Sequence, residues 1–488
     1  MQSPHVTTRP VILWFRRDLR LQDNPALNRA IEAGCPVLPV FILDEGAERP
    51  LGGAARWWLD KSLRALASDL EARGSRLILR RGDSLSVLQG LITETGAEAL
   101  FLNRSFEPAG FERDADIAHA LQADGVSCHG FNGSLLCPPG SVLNGSGQPY
   151  KVFTPFMKAL LGKFEPPAGL EPPARIVTPK IASDRSDEWG LHPRRPDWSG
   201  GFDWAPGEAG ALDNLSAFIN GGLKTYGHGR DIPGRANTSR LSPHLHWGEI
   251  SPWRAVREAR EAAVQGRVPA AEAEKFVAEI VWRDFSTHLL HHFPFIESRA
   301  FRAEYDAMPW RDDPAALEAW RRGQTGYPLV DAGMRQLWAT GWMHNRVRMV
   351  VASFLVKHLM IDWREGEAWF WDTLVDADLA SNVQNWQWVA GSGADAATYF
   401  RIFNPTAQGQ KFDGDGAYVR RWVPELRRLP DKWIQAPWTA PTEILRDAGV
   451  RLGDTYPRPV VDHDVGRARA LNALKTVAGR GDDHSDRD

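Results

Sequence analysis

Tryptophan is concentrated in one part of this chain of 488 residues. Nine of the 21 tryptophans lie between Trp310 and Trp388, and a single residue separates the last two, Trp386 and Trp388. Indole rings stack on flat aromatic ligands, including bases, and they can be oxidised one electron at a time. If this stretch is a helix, the last two rings point about 200° apart. One of them could then face an internal chain of aromatics and the other a ligand cavity.

A segment rich in glycine, hydroxyl and arginine side chains runs from Tyr226 to Pro243. It ends in Ser242 and Pro243, a pair typical of a helix start. A loop that enters a helix with hydroxyls, free backbone N–H groups and a positive charge suits a pyrophosphate group. The alternative is that these side chains only cap the helix. The residues that would supply these groups are Thr238, Ser239, Arg240 and Ser242.

The pattern FVAEIVWRDF carries three side chains that could act together. Helical spacing places Glu279, Trp282 and Arg283 on one face. A carboxylate, an indole and a guanidinium on one face could bind a base-like ligand through a hydrogen bond, stacking and charge. The alternative is a Glu–Arg surface pair beside a tryptophan of the core.

The pattern GWMHNRVRM at 341–349 carries a second set of functional side chains. Helical spacing aligns four of them along one stripe: Trp342, Asn345, Arg346 and Met349. Arg348 lies off this stripe and needs an acidic partner if it is buried, for which Asp376 and Asp378 are the candidates. An Arg–Asp pair beside a redox cofactor could stabilise its anionic form and set its potential. The alternative is a structural salt bridge.

Two regions with different secondary-structure patterns carry these residues. In residues 1–134, strand-like apolar runs alternate with helical patterns, which predicts a parallel α/β sheet with helices on both faces. Residues 206–475 are helical in pattern, and the segment 135–205, rich in Pro, Gly and Ser, is predicted to link the two domains. The charged tail 476–488 is predicted to be disordered. The α/β part lacks a G-x-G-x-x-G turn, so no dinucleotide is assigned to it.

Charge and cysteine content narrow the class of protein. The net charge of −3 argues against binding nucleic acid with the whole surface. It allows a local basic patch at residues 400–432, for which the alternative is an ordinary solvated face. Three scattered cysteines make no metal motif and indicate a reducing compartment. The sequence carries no recognisable signal peptide or membrane span. We therefore expect a soluble, cytoplasmic protein without a bound metal.

Six segments, in order along the chain, resemble the photolyase/cryptochrome family. They are WFRRDLRLQDNPAL at 14–27, TSRLSPHLHWGEISP at 238–252, EIVWRDF at 279–285, TGYPLVDAGMRQLWATGWMHNRVRM at 325–349, DADLASNVQNWQW at 376–388 and FRIFNPTAQGQKFD at 400–413. Within the family they are most similar to microbial cyclobutane pyrimidine dimer (CPD) photolyases, because Asn345 and Met349 stand where (6-4) photolyases typically carry a histidine-rich motif. The stretch NRSFEP at 103–108 looks closest to the bacterial class III subgroup.

The resemblance implies an α/β antenna domain followed by a helical, FAD-binding catalytic domain. The implied activity is that of a deoxyribodipyrimidine photolyase, in which light-driven electron transfer from reduced FAD splits a dimer flipped out of UV-damaged DNA. The alternatives are a cryptochrome-like blue-light photoreceptor and a (6-4) photolyase. Methenyltetrahydrofolate is the expected antenna, with a deazaflavin or no antenna as alternatives, and no residues are assigned to it. We also expect a monomer without an obligate protein partner.

The resemblance also implies roles for single residues. The FAD-binding residues would be Tyr226, Thr238, Ser239, Arg240, Leu241, Ser242, Asn345, Arg348, Asp376, Asp378 and Asn382. The substrate-binding residues would be Glu279, Trp282, Arg283, Asn345, Arg346, Met349, Trp388 and Gln408, with Glu279 hydrogen-bonded to the dimer. A chain of Trp386, Trp363 and Trp310 would connect the flavin with the surface, and Trp369 and Trp371 are predicted to form a second branch. Phe276 stands where some relatives have a flavin-site tryptophan.

Overall fold

The first part of the chain folds around a parallel β-sheet. The computed structural model describes residues 9–46, 49–396 and 400–481. The strands are β1 (Val11–Phe15), β2 (Val37–Leu43), β3 (Ile78–Arg81), β4 (Ala99–Asn103) and β5 (Ser127–Phe131). The intervening helices are α1 (Pro25–Glu32), α2 (Gly53–Glu71), α3 (Ser84–Thr95) and α4 (Pro108–Ala123). The five strands pair in the order β3-β2-β1-β4-β5, and all their pairings are parallel.

The central strand β1 is buried on both faces of this sheet. Leu13 and Phe15 pack into one hydrophobic cluster, whereas Ile12 and Trp14 pack into another on the opposite face. Alternate side chains of a strand point to opposite faces, and a parallel sheet covered on both faces requires a continuous apolar run. The α/β fold predicted from the apolar runs is therefore confirmed.

The rest of the described chain is built from helices and irregular connecting segments. Its helices are α5 (Phe153–Lys163), α6 (Glu208–Asn220), α7 (Tyr226–Gly229), α8 (Ser242–His246), α9 (Pro252–Val264), α10 (Ala270–His292), α11 (Pro314–Arg321), α12 (Pro328–Thr340), α13 (Asn345–Ser353), α14 (Trp363–Thr373), α15 (Leu379–Ala390), α16 (Pro405–Phe412), α17 (Ala417–Trp422), α18 (Asp431–Ile434), α19 (Thr442–Ala448) and α20 (His463–Gly481). Helix α10 runs through the domain and packs on α9 and α15. None of the helices in the described ranges is both long and apolar enough to cross a membrane.

The segment 135–205 packs on both domains. Phe153 and Phe156 of α5 belong to the helical core, while Trp189 and Leu191 belong to a core cluster of the α/β domain. The predicted limits 1–134, 135–205 and 206–475 remain predictions. Helix α20 continues through Gly481, beyond the predicted start of the disordered tail, and residues 482–488 lie outside the described residues.

One lysine is buried inside the helical domain. Lys357 lies in a π-helical turn, Phe354–Leu359, that follows α13, and its side chain is 1% exposed. Its ammonium donates to the Ala390 carbonyl oxygen at 2.5 Å and lies 3.1 Å from the centre of the Phe400 ring. Burial lowers the pKa of Lys357 well below its usual value, so the charged form is penalised in the folded protein.

Replacing Lys357 by methionine is expected to raise the free energy of unfolding by about 1 kcal/mol near pH 7. The pKa of Lys357 is lower in the folded than in the unfolded chain. Between the folded and the unfolded pKa the unfolded chain therefore binds more protons, and the stability of the unmodified protein rises with pH across that interval. The Lys357→Met variant should lose this rise.

Denaturant unfolding between about pH 6 and pH 10 measures both effects. Lys475→Met, which removes an exposed lysine of α20, is the control and should change neither the stability nor its pH dependence. Identical pH dependence in Lys357→Met and the unmodified protein would contradict the expected result.

Candidate cofactor and substrate cavity

A cavity of about 550 Å³ opens within the helical domain. All the predicted FAD-binding residues line it, and so do all the predicted substrate-binding residues except Gln408. These lining residues are Tyr226, Thr238, Ser239, Arg240, Leu241, Ser242, Glu279, Trp282, Arg283, Asn345, Arg346, Arg348, Met349, Asp376, Asp378, Asn382 and Trp388. Trp386 lines the cavity as well. The fold thus brings segments from α7 to α15 to one cavity.

Hydroxyl and backbone groups line one part of the cavity at residues 238–242. Helix α8 begins at Ser242, as predicted, but its N-cap position is Leu241, which makes no side-chain cap. The Ser242 hydroxyl accepts a hydrogen bond from Nε1 of Trp342 at 3.4 Å. The guanidinium of Arg240 lies 4.0 Å from the centre of the Trp204 ring, and burial lowers its pKa. This part of the wall carries the groups that a phosphate ligand needs.

A buried ion pair joins α13 to the segment before α15. Both carboxylate oxygens of Asp376 accept from Nη2 of Arg348, at 2.8 and 3.1 Å, and the Asp376 side chain is 3% exposed. Nε of Arg348 donates to the Met343 carbonyl oxygen at 2.7 Å. Of the two partners considered for Arg348, the structure therefore selects Asp376. A fixed guanidinium in the wall can stabilise negative charge on a cofactor.

Asn382 and Asp378 occupy the beginning of α15. Nδ2 of Asn382 donates to Oε1 of Glu367 at 2.7 Å, and the Asp378 carboxylate caps the helix by accepting from the backbone N–H of Ser381 at 2.8 Å. The nearest histidine nitrogen to Asp378 is Nδ1 of His246, 3.6 Å away. Burial opposes ionisation of Asp378, but its contact with His246 holds the pKa of this carboxyl below its ordinary value. Asp378 is therefore an anionic group in the wall.

Two ion pairs lie on the charged side of the cavity. Glu279 pairs with Arg230, and it also lies 3.4 Å from Nζ of Lys275. Arg346 donates to Oδ1 of Asp231 at 2.8 Å. The sequence gives no separate signal for Arg230 and Asp231, although both lie in the Tyr226–Pro243 segment. Glu279 thus does not form the local pair with Arg283 that the alternative interpretation required, because Arg283 donates to carbonyl oxygens.

The aromatic walls are formed by Trp282 and Trp388. One face of the Trp282 ring is stacked on Phe153, with the ring centres 3.6 Å apart and the planes 5° apart. Trp388 is half-buried and lies 5.8 Å from the Arg401 guanidinium. Phe153 belongs to the segment predicted as a linker, and nothing in its local pattern indicated a contact with α10. Because Phe153 covers one face of the Trp282 ring, only the opposite face is available to a ligand in the cavity.

Trp386 is buried in contact with α14. A Cβ atom on Gly366 would lie 2.1 Å from Cη2 of Trp386, so only glycine admits the indole this close. The ring also lies 5.1 Å from Phe370 and 6.3 Å from Trp320, centre to centre. Within the described chain its Nε1 has no hydrogen-bond partner, which leaves a donor for a ligand of the cavity.

The other tryptophans predicted to carry electrons lie outside the cavity. Trp363 is buried at the start of α14, and Trp310 is half-buried beside a hydrophobic cluster that includes residues of α20. Trp369 stacks on Trp338, with ring centres 6.0 Å apart, and Trp338 is 44% exposed. Trp371 instead donates to the Pro50 carbonyl oxygen at 2.7 Å. The two residues of the predicted second branch therefore point to different neighbours.

Two local expectations are corrected by the structure. Gln408 lies on α16, which packs on α12, and it does not reach the cavity. Trp342 was placed on a helical stripe with Asn345, but α13 begins only at Asn345, with His344 as its N-cap. Trp342 nevertheless lines the cavity, because the turn before α13 presents it there.

A second cavity, of about 180 Å³, lies at the carboxyl ends of the strands. Three residues line both cavities: His246, Arg283 and Asp378. The second cavity also contains Trp14 and several arginines, among them Arg16, Arg49, Arg56 and Arg104. Loops at this edge of a parallel sheet commonly form ligand sites.

Comparison with known families agrees with this architecture. Residues 11–175 match the family model described as DNA photolyase, and residues 276–476 match the model described as FAD binding domain of DNA photolyase. The chain is 53% identical to a deoxyribodipyrimidine photo-lyase of Agrobacterium fabrum, covering 96% of this chain and 98% of the relative. It is 40% identical to cryptochrome-1 of Arabidopsis thaliana, covering 96% of this chain and 70% of the relative.

A solved structure gives the same result. The crystal structure of a bacterial class III photolyase from Agrobacterium tumefaciens superimposes with a TM-score of 0.95 at 52% identity, covering 98% of this chain and all of that one. The similarity to these relatives extends over nearly the whole chain and includes both the α/β domain and the helical domain. The chain therefore belongs to the DNA photolyase family.

Proposed function

We propose that this protein repairs cyclobutane pyrimidine dimers in DNA, as a deoxyribodipyrimidine photolyase of the class III type. The observation that carries the proposal is a single cavity with two chemically different parts. Phosphate-binding and charged groups line one part, and the carboxylate of Glu279 lies with the aromatic rings of Trp282 and Trp388 in the other. A cofactor and a pair of flipped bases could therefore be held in one enclosed space.

FAD fits the polar part of this cavity. The uncapped start of α8 and the hydroxyls of residues 238–242 would hold its phosphates. Asn345, the Arg348–Asp376 pair, Asp378 and Asn382 would surround its rings. The unpartnered Nε1 of Trp386 is a donor that such a ligand would satisfy. When bound, FAD supplies the light-absorbing, one-electron chemistry.

The protein would bind and orient the substrate with residues at the open side. Trp282 and Trp388 would stack on or flank the bases that leave the DNA duplex. This stacking would offset part of the free energy lost when the bases unstack from their neighbours in the duplex. Glu279 would accept hydrogen bonds from base N–H groups. Arg346, held by Asp231, would lie near the DNA backbone.

The second cavity offers a place for an antenna. Methenyltetrahydrofolate carries carboxylates, which would compete with the acidic partners of the arginines around this cavity, such as Glu367 for Arg49. Trp14 could contact its ring system. A deazaflavin, or no antenna, remains the alternative. Extraction of the purified protein's chromophores followed by mass spectrometry identifies the occupant, and a folate is the expected result.

The repair proposal is tested with two damaged DNA substrates. The FAD-loaded, reduced protein is illuminated with blue light and given DNA containing either a CPD or a (6-4) product, with dark samples as controls. We expect loss of the CPD only. Repair of the (6-4) product would favour the second enzyme class, and no repair of either would favour a photoreceptor related to the cryptochromes. Gel filtration would test the further proposal of a monomer, and cell fractionation that of a cytoplasmic location.

Replacing Trp363 by phenylalanine is expected to leave a small residual rate of FAD reduction under blue light. The reason is that Trp369 and Trp371 offer a second route for electrons from an external reductant. Transient absorption measures the rate, and the double change Trp363→Phe and Trp371→Phe should remove the remainder. Complete loss in Trp363→Phe alone would rule out the second branch.

A further inference from the structure

A group of three aromatic rings, one exposed and two partly buried, lies where α10 ends. The Phe293 and Phe301 rings are 5.2 Å apart, and Phe295 stacks on Phe301 with ring centres 6.2 Å apart and planes 26° apart. Phe295 is 42% exposed. The exposed Lys151 places its Nζ 5.5 Å from the centre of the Phe293 ring and 5.8 Å from that of Phe301. We call these four residues the Phe295 shelf.

The shelf is connected to both aromatic walls of the cavity. Lys151 precedes by two residues Phe153, which stacks on Trp282. On the other side, the backbone N–H of Phe301 donates to Oε1 of Gln387 at 2.8 Å, and Gln387 precedes Trp388. The shelf is therefore linked, through the buried residues Phe153 and Gln387, to the elements that carry Trp282 and Trp388.

Charges of both signs lie beside these rings, with Lys151 and Arg299 as exposed cations and Glu297 as an exposed acid. The Arg299 side chain is 65% exposed, and although Asp306 lies 3.4 Å from its Nε, most of the guanidinium faces solvent. The backbone N–H of Arg302 donates to the Ser392 carbonyl oxygen at 3.0 Å, which fixes this segment against the loop after α15. Exposed rings with interleaved cations are the arrangement by which proteins bind single-stranded nucleic acid.

We propose that the Phe295 shelf binds unpaired nucleotides of the lesion-bearing strand beside the flipped dimer. A base would stack on the outer face of Phe295, and Lys151 would lie against a phosphate. This inference rests on the proposed repair function and adds a second contact to it, outside the cavity. A protein partner would also cover an exposed ring, but the exposed cations Lys151 and Arg299 and the link to the elements that carry Trp282 and Trp388 favour the DNA strand.

The test uses the FAD-loaded protein in the dark and two ligands. One is a single-stranded oligonucleotide with a central thymine dimer and about five nucleotides on each side, and the other is the isolated dimer without flanks. Fluorescence anisotropy, with competition for the small ligand, gives the dissociation constants. Phe295→Ala should weaken binding of the oligonucleotide about 5- to 100-fold and leave binding of the isolated dimer unchanged.

Further variants separate stacking and charge from folding. Phe295→Trp keeps a ring and should restore binding. Lys151→Ala should reduce the slope of log Kd against log salt concentration by about 0.7. Phe111→Ala is the matched control, because this ring on α4 is 41% exposed, and it should bind both ligands normally. Thermal unfolding of each variant checks the fold, and Phe295→Leu replaces Phe295→Ala if the alanine variant is destabilised.

Two results would overturn the inference about the shelf. One is unchanged oligonucleotide binding by Phe295→Ala, and the other is an equal loss for both ligands. If Phe295→Ala abolishes self-association or loses a copurifying protein but binds DNA normally, the shelf serves a protein partner and the inference is wrong. Failure of the unmodified protein to bind or repair any CPD substrate would instead remove the repair proposal, and the shelf proposal with it.

Discussion

Glu279→Ala is expected to weaken binding of CPD-containing DNA about 10- to 100-fold, because hydrogen bonds to a charged group contribute about 1.5–3 kcal/mol each. The Glu279 side chain is 23% exposed and lines the cavity, so its carboxylate can accept from base N–H groups. Alanine removes this acceptor and leaves the positive charge of Arg230 without its partner. Glu279→Gln, which retains one acceptor oxygen, should lie between alanine and the unmodified protein.

Titration of FAD-loaded protein with damaged DNA measures this effect. Glu274→Ala is the matched control, since this carboxylate lies on the same helix but pairs with Arg260 at 2.8 Å outside the cavity. Flavin absorbance before each titration excludes loss of FAD as the cause. If Glu274→Ala and Glu279→Ala bind the DNA equally well, Glu279 has no direct role in recognising the dimer.

Asp376→Asn is expected to lower the free energy of unfolding by about 3 kcal/mol, because it leaves the guanidinium of Arg348 without a charged partner in a largely buried place. The Asp376 side chain is 3% exposed and that of Arg348 is 23% exposed. Partial hydration of Arg348 places the expected loss at the lower end of the range for buried pairs. The same change should weaken retention of FAD, since both residues line the cavity.

Denaturant unfolding of FAD-free protein separates stability from cofactor retention. Replacing both partners, with Arg348→Met and Asp376→Leu, should cost less than Asp376→Asn alone, because no unpaired charge remains. Asp372→Asn is the control for a carboxylate at the edge of the domain, where it accepts from the backbone N–H of Gly53 at 2.8 Å. A double variant less stable than Asp376→Asn would show that the pair does not act through its charges.

Much of the fold was predictable because its signals are local. The apolar runs Val11–Phe15 and Val37–Leu43 coincide with β1 and β2, since a strand covered on both faces must be apolar throughout. Asn24 and Pro25 marked the start of α1, where the Asn24 side chain accepts from the Leu27 N–H at 3.1 Å. The run Arg76–Leu79 predicts a strand two residues before β3 (Ile78–Arg81), because a short edge strand has few buried positions to define it.

The site residues were found by the same kind of short pattern. Contiguous segments of the sequence supply both the hydroxyl groups and the charged side chains of the site. Nearly all the residues predicted to bind cofactor or substrate therefore line the cavity. Arg348 needed an acidic partner, and two candidates two residues apart were equally close in the chain. Only the packing of α13 against the segment before α15 decided in favour of Asp376.

By itself, the sequence determined the two types of domain, the starts of several helices and the side chains available for a cofactor. These features depend on the spacing of apolar residues, on helix caps and on short motifs, each of which involves only a few neighbouring residues. Tertiary structure decided which of these side chains meet. It stacked Phe153 on Trp282, paired Glu279 with Arg230 and kept Gln408 away from the cavity. The partners in these contacts lie from 49 to 129 residues apart, and the distance between such residues is set by how whole helices pack, which no local pattern encodes.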